Sequence, residues 1–75
     1  MEAILKFNLP EDNEDFKLAT NAPNMYGVLW DMDQWLRTQT KYAADDVTDD
    51  TYKAFEECRE QLRELMNNNN VNFDL

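Results

Sequence analysis

Leu29-Trp30-Asp31-Met32-Asp33-Gln34-Trp35-Leu36-Arg37 is the stretch that decides the fold. On a 3.6-residue repeat, Met25, Val28, Leu29, Met32, Leu36 and Gln39 fall on one side, with Trp35 at its flank. The spacing predicts a helix over residues 25–42 that buries this stripe. A second stripe, Tyr26, Trp30, Asp33, Arg37 and Lys41, has the same spacing and mixes flat aromatic surface with charge. Trp, Tyr and Arg are the residue types enriched at binding hot spots, so Tyr26, Trp30, Asp33 and Arg37 form one candidate recognition face. The same residues equally suit a helix covered on two sides, with Trp30 under the N-terminal segment and Asp33–Arg37 an ordinary i,i+4 pair.

Upstream, Ala3, Leu5, Phe7 and Leu9 alternate with Glu2, Ile4, Lys6 and Asn8. Period two over eight residues reads as a half-buried strand. Pro10 stops it and opens a short first helix over residues 10–20, whose early acids Glu11, Asp12, Glu14 and Asp15 complement the helix dipole. Asn21-Ala22-Pro23-Asn24 reads as a turn, because Pro23 disfavours helix at Ala22 and Asn24 can cap the second helix. Gly27, the one glycine in the chain, is expected to allow a close packing approach.

Downstream, residues 43–47 connect to a third helix capped by Thr48 and opening with Asp49 and Asp50, with Val47 and Tyr52 placed as a hydrophobic staple. Its buried stripe is expected to be Tyr52, Phe55, Cys58, Leu62, Leu65 and Met66. Glu56, Arg59, Glu60, Arg63 and Glu64 then form a solvated face with Glu56–Arg59 and Glu60–Arg63 pairs. Asparagine enters left-handed backbone readily, so the run at residues 67–70 should end the helix. Val71, Phe73 and Leu75 alternate again, and pairing with residues 3–9 would give each strand a partner. The expected fold is therefore mainly α (α+β): three helices and a short N-terminal strand paired with the C-terminal segment, in one domain spanning residues 1–75.

The FNLPED and LWDMDQWLR segments, together with Lys41-Tyr42, the acidic C-terminal helix and the closing VNFDL, resemble a group of small proteins encoded by tailed bacteriophages. The resemblance implies a protein made in the cytoplasm of an infected bacterial host and implies no activity. The group often carries glycine where this chain has Asn67 to Asn70, so the end of the last helix is expected to differ.

Seventy-five residues provide one thin core and no room for a deep cleft. Sixteen acids against seven bases give a net charge of -9, and the bases are scattered singly. Direct nucleic-acid binding and attachment to an anionic membrane are therefore disfavoured. No apolar run approaches the ~20 residues of a membrane span. With 43% hydrophobic residues the chain should fold rather than remain an acidic tail. Cys58 is the single cysteine, expected to be a buried small residue in a reducing compartment.

Chemistry is sparse. The chain has no histidine and cannot assemble a thiolate site, so zinc hydrolysis is disfavoured. Asp31 and Asp33 lie about 200° apart around a helix and cannot converge on one ion. Asp45, Asp46, Asp49 and Asp50 lack the spacing, glycine and terminal glutamate of an EF-hand loop. A lone glycine supplies no phosphate cradle. No catalytic residue, metal or cofactor is expected, and enzymatic activity is not expected.

Surface recognition is what remains. Residues 45–75 hold nine acids and three bases, whereas 25–44 hold two of each. An acidic face built from Asp45, Asp46, Asp49, Asp50, Glu56 and Glu60 suits a host protein with a basic surface, which the chain would inhibit or modulate. The same charge would also serve plain solubility. Two alternatives use the helix at residues 25–42: a module that sequesters a nucleotide or signalling molecule with Tyr26, Trp30, Arg37 and Lys41, and a self-associating assembly protein, which makes homo-oligomers.

Overall fold

The structure, a computed structural model, describes residues 1–41 and 47–74. Two helices, α1 (Asn13–Lys41) and α2 (Asp49–Asn68), pack side by side as a hairpin. This corrects the expectation of three helices and a paired strand: the first two expected helices are one, and no strand occurs among the described residues. The expected connection through 43–46, Tyr42, and the terminal Leu75 lie outside the described residues.

Pro23 sits inside α1 without ending it. A proline there removes one N–H donor, which orphans the carbonyl four residues earlier, at Ala19. Residues 21–25 are exposed, so water can satisfy that carbonyl. The turn-forming asparagines are used within the helix instead: the Asn24 side-chain amide donates to Asn21 Oδ1 at 2.8 Å. Nor does Pro10 open the helix. The Asn8 N–H donates to the Asp12 carboxylate at 2.9 Å, and the Asp12 N–H donates back to the Asn8 carbonyl at 2.8 Å. That closed loop sets the start at Asn13.

Residues 1–8 are in neither helix nor strand and are largely exposed, with Phe7 anchored edge-on against Phe16 at 5.7 Å between ring centroids. The expected partner for this segment is engaged elsewhere. α2 ends at Asn68 with Asn69 as its C-cap, after which Asn70 takes φ 57°, the Asn70 N–H donates to the Asn67 carbonyl and the Val71 N–H donates to the Met66 carbonyl. These two bonds make a Schellman motif, with asparagine in the left-handed position that glycine usually takes. The reversal sends residues 71–74 back along the hairpin, where Phe73 meets Tyr26 and Trp30. Thr48 caps α2 as expected, its hydroxyl oxygen accepting from the Thr51 N–H at 3.2 Å.

The core face of α1 is rotated from the stripe read in the sequence. The buried residues of α1 are Asp33 and Leu36, whereas Met25, Val28, Met32 and Trp35 are exposed. Leu36 is common to the expected and the observed face, and Asp33 lies about 60° from it around the axis, so the buried face is shifted toward the mixed stripe rather than replaced. On α2 the buried residue is Met66, and Cys58 is exposed rather than buried. Gly27 has nothing within 4 Å of the position a Cβ would take, so the expected close approach is absent. The molecule measures 55 × 28 × 19 Å. Its radius of gyration of 17.5 Å is well beyond the ~11 Å of a compact chain of this length.

Candidate functional site

Asp33 joins the helices. Its carboxylate has no exposed surface and is gripped from α2 by two forked guanidinium groups. Arg63 donates from Nε to Oδ1 and from Nη2 to Oδ2, both at 2.8 Å. Arg59 donates to the same two oxygens at 3.2 and 3.3 Å. The Gln34 side-chain amide adds a bond at 3.3 Å. Two bidentate pairs on one carboxylate satisfy its acceptor positions, which is what allows the charge to be buried.

The Arg63 hydrogen bonds are the chief reason the Asp33 carboxyl is held at about 2, below its ordinary 3.8, and burial opposes them without prevailing. Arg63 is pushed up in turn by Asp33. Asp33 is thus ionised and occupied. Such a group is a structural anchor rather than a base poised near neutrality.

Arg63 has a second task. Its guanidinium carbon lies 4.9 Å from the centroid of the Phe73 ring. Phe73 also takes the edges of Tyr26 and Trp30, at 5.6 and 5.1 Å, and the Tyr26 hydroxyl donates to the Phe73 carbonyl at 3.1 Å. Three of the four residues of the expected mixed recognition face, Tyr26, Trp30 and Asp33, are therefore used to hold α1 against α2 and the C-terminal segment. Arg37 is exposed, and Asp33 pairs with Arg59 and Arg63 in place of the expected i,i+4 partner. The expected Glu56–Arg59 and Glu60–Arg63 pairs give way to the same cluster. Arg59, Arg63 and Phe73 were not expected at the centre of the fold; the available signal was the four-three-four run Phe55, Arg59, Leu62 and Met66, which marks the buried side of α2.

Either side of this seam, the hairpin presents two unlike flanks. One is a polar groove lined by Thr40, Glu56, Arg59, Glu60, Arg63 and Glu64. Asp49, Glu56, Glu60 and Glu64 are seven, four and four residues apart and so share a side of α2, whereas Asp50 is turned about 100° away. The structure thus brings Glu56 and Glu60 together on one exposed flank, with Asp49 at its start. Asp45 and Asp46 lie outside the described residues. The other flank is an apolar groove with Met32, Trp35 and Leu36 on α1 facing Phe55, Leu62 and Leu65 on α2. The Trp35 and Phe55 rings meet edge-on at 5.7 Å.

Among the described residues, no group of three or more His, Cys, Asp or Glu is placed to hold a metal ion, and no helix is long and apolar enough to cross a membrane. Comparison with protein families, curated proteins and solved structures returns no match for this chain.

Proposed function

We propose that the chain is a non-enzymatic binding protein that modulates or inhibits a basic host protein through the acidic flank of α2, in the cytoplasm of a phage-infected bacterium. The observation that carries this reading is the exposed ladder of Glu56, Glu60 and Glu64 along one side of α2, with Asp49 at its head. Four-residue spacing on a helix sets these carboxylates about one turn apart, a pitch at which lysines or arginines of a partner can be met in sequence. Arg59 and Arg63 line the same groove and are hydrogen-bonded to Asp33, but three glutamates and Asp33 against two arginines leave this flank net negative. The infected-cell setting comes from the resemblance to small tailed-phage proteins. The nucleotide alternative is less favoured, since Tyr26 and Trp30, the rings it would use for stacking, are both packed against Phe73.

The test is capture from host lysate with the wild-type chain and with the triple reversal Glu56→Lys, Glu60→Lys and Glu64→Lys. One dominant partner is expected with the wild type, lost in the reversal and weakened by salt. Equal recovery by both chains, at unchanged helicity, would remove the acidic flank from the reading.

A further inference from the structure

The hairpin buries little of its own apolar surface: Leu36 and Met66 are the buried hydrophobic side chains among the described residues. Its accessible surface is 6626 Å² at a mass of 8.9 kDa. A compact monomer of that mass exposes about 4,800 Å², so the surplus is roughly 1,800 Å². Part of the surplus is the exposed N-terminal segment, where Ile4 is 79% and Leu5 80% exposed. The apolar flank is also open to solvent: Trp35 is 51% exposed, Leu65 51% and Met32 49%. Obligate dimers bury ~1,000–2,500 Å² on each partner, a range that includes this surplus.

We infer that the apolar flank binds the same flank of a second copy, giving a two-fold dimer of hairpins with four helices around a shared core. Met32 and Trp35 on α1, and Phe55, Leu62 and Leu65 on α2, form its centre. Three observations select a second copy over an unlike partner. The flank spans both helices and includes no charged residue at its centre; Glu57 is at its margin. A surface whose one charged lining residue is Glu57 offers little complementarity to a partner of opposite sign, and its apolar centre meets its own image without repulsion. The acidic ladder is on the opposite side of α2, so pairing through the apolar flank points the two sets of carboxylates away from each other. Finally, the shortage of buried apolar groups in one hairpin is what a second hairpin would supply, as expected where folding and association are one event.

Mass measurement by light scattering or sedimentation equilibrium on the purified chain tests this directly. The expected mass is two chains, with a thermal midpoint that rises with protein concentration. The variant Met32→Glu with Leu65→Glu should be monomeric or unfolded, while the Glu56→Lys, Glu60→Lys, Glu64→Lys chain should keep the dimer mass. Failure of the host-partner reading therefore leaves this result untouched. Because the double variant can fail to fold, the wild type supplies a second measurement. Cys58 lines the apolar groove, so its alkylation rate should fall severalfold as concentration rises through the dimer range. A folded chain of single mass at all concentrations, with Cys58 alkylated at a constant rate, overturns the proposal. So does a stable assembly of more than two chains, or a chain that is monomeric alone and covers this flank only with an unlike protein.

Discussion

Asp33 and Arg63 face each other across the hairpin through two parallel 2.8 Å hydrogen bonds, and Arg59 repeats the grip at 3.2 and 3.3 Å. A buried carboxylate costs several kcal/mol to desolvate, and it is retained only because both oxygens are matched. The same cluster favours one register, since a slide of α2 by one turn brings one arginine into the other's place and leaves a single fork on Asp33. The Asp33→Ala chain should therefore lose about 3 kcal/mol, near the lower end of the range for breaking a buried pair, because both arginines keep some solvent contact. Arg63→Met should cost more than Arg59→Met, and each less than the Asp33 change, since one fork remains. Urea denaturation of the four chains checks the order.

Acid should act through this carboxylate in a known direction. A group whose pKa is lowered on folding contributes its full stabilisation above its unfolded value and gives it up as pH falls through the folded value. For Asp33 that window runs from about 3.8 down to about 2. A shift of this size is worth about 2 kcal/mol. A change of pH also alters the net charge of the whole chain, so raw stability is a mixed signal. The difference between wild type and Asp33→Asn isolates the contribution. It should be constant above pH 5 and shrink toward pH 2; a difference that stays flat to pH 2 would show that Asp33 is not held ionised by the arginines.

Phe73 locks the C-terminal segment. It meets Tyr26, Trp30 and Arg63 within 5.6 Å of ring or guanidinium. Aromatic pairs of this geometry contribute ~0.5–1.5 kcal/mol beyond area burial. Phe73→Ala should cost about 2–3 kcal/mol and Phe73→Leu about half as much. In a Trp35→Phe background, the emission of Trp30 should shift to longer wavelength when Phe73 is removed, because its packed edge becomes wet.

The features legible in the sequence are those that depend on neighbours along the chain. Thr48 followed by Asp49, Asp50 and Thr51 is enough to place a helix cap, and the asparagines at 67–70 are enough to stop the helix. Glu56 and Glu60 share a flank because they are four apart. Pairing over distance is not legible in the same way. Asp33, on the mixed stripe with Tyr26, Trp30 and Arg37, reads as a recognition residue or as the i,i+4 partner of Arg37 until Arg59 and Arg63, 26 and 30 residues later, arrive to pair with it. Val71 and Phe73 alternate over too few residues to separate a strand from a short return segment. The apolar stripe of α1 is wider than one neighbouring helix can cover, so periodicity locates the stripe without deciding which edge is buried. Pro23 reads as a breaker, although on an exposed turn of a long helix its missing N–H costs only one carbonyl partner.

The continuity of α1 through Pro23 and Gly27 gives a prediction that a turn at residues 21–24 would not. Each residue penalises a helix interior, by about 3 kcal/mol for proline and about 1 kcal/mol for glycine relative to alanine. Pro23 is exposed, and a methyl group at Gly27 would meet nothing within 4 Å. Neither change introduces a clash, so Pro23→Ala should raise stability by at least about 1 kcal/mol, with the partial adaptation of the helix to proline absorbing the rest. Gly27→Ala should add about 0.5–1 kcal/mol, through both helix propensity and a less flexible unfolded chain. The double variant should show more helical circular dichroism and a higher thermal midpoint. Were residues 21–24 a turn between separate helices, alanine at position 23 would remove a favourable turn residue and lower the midpoint instead.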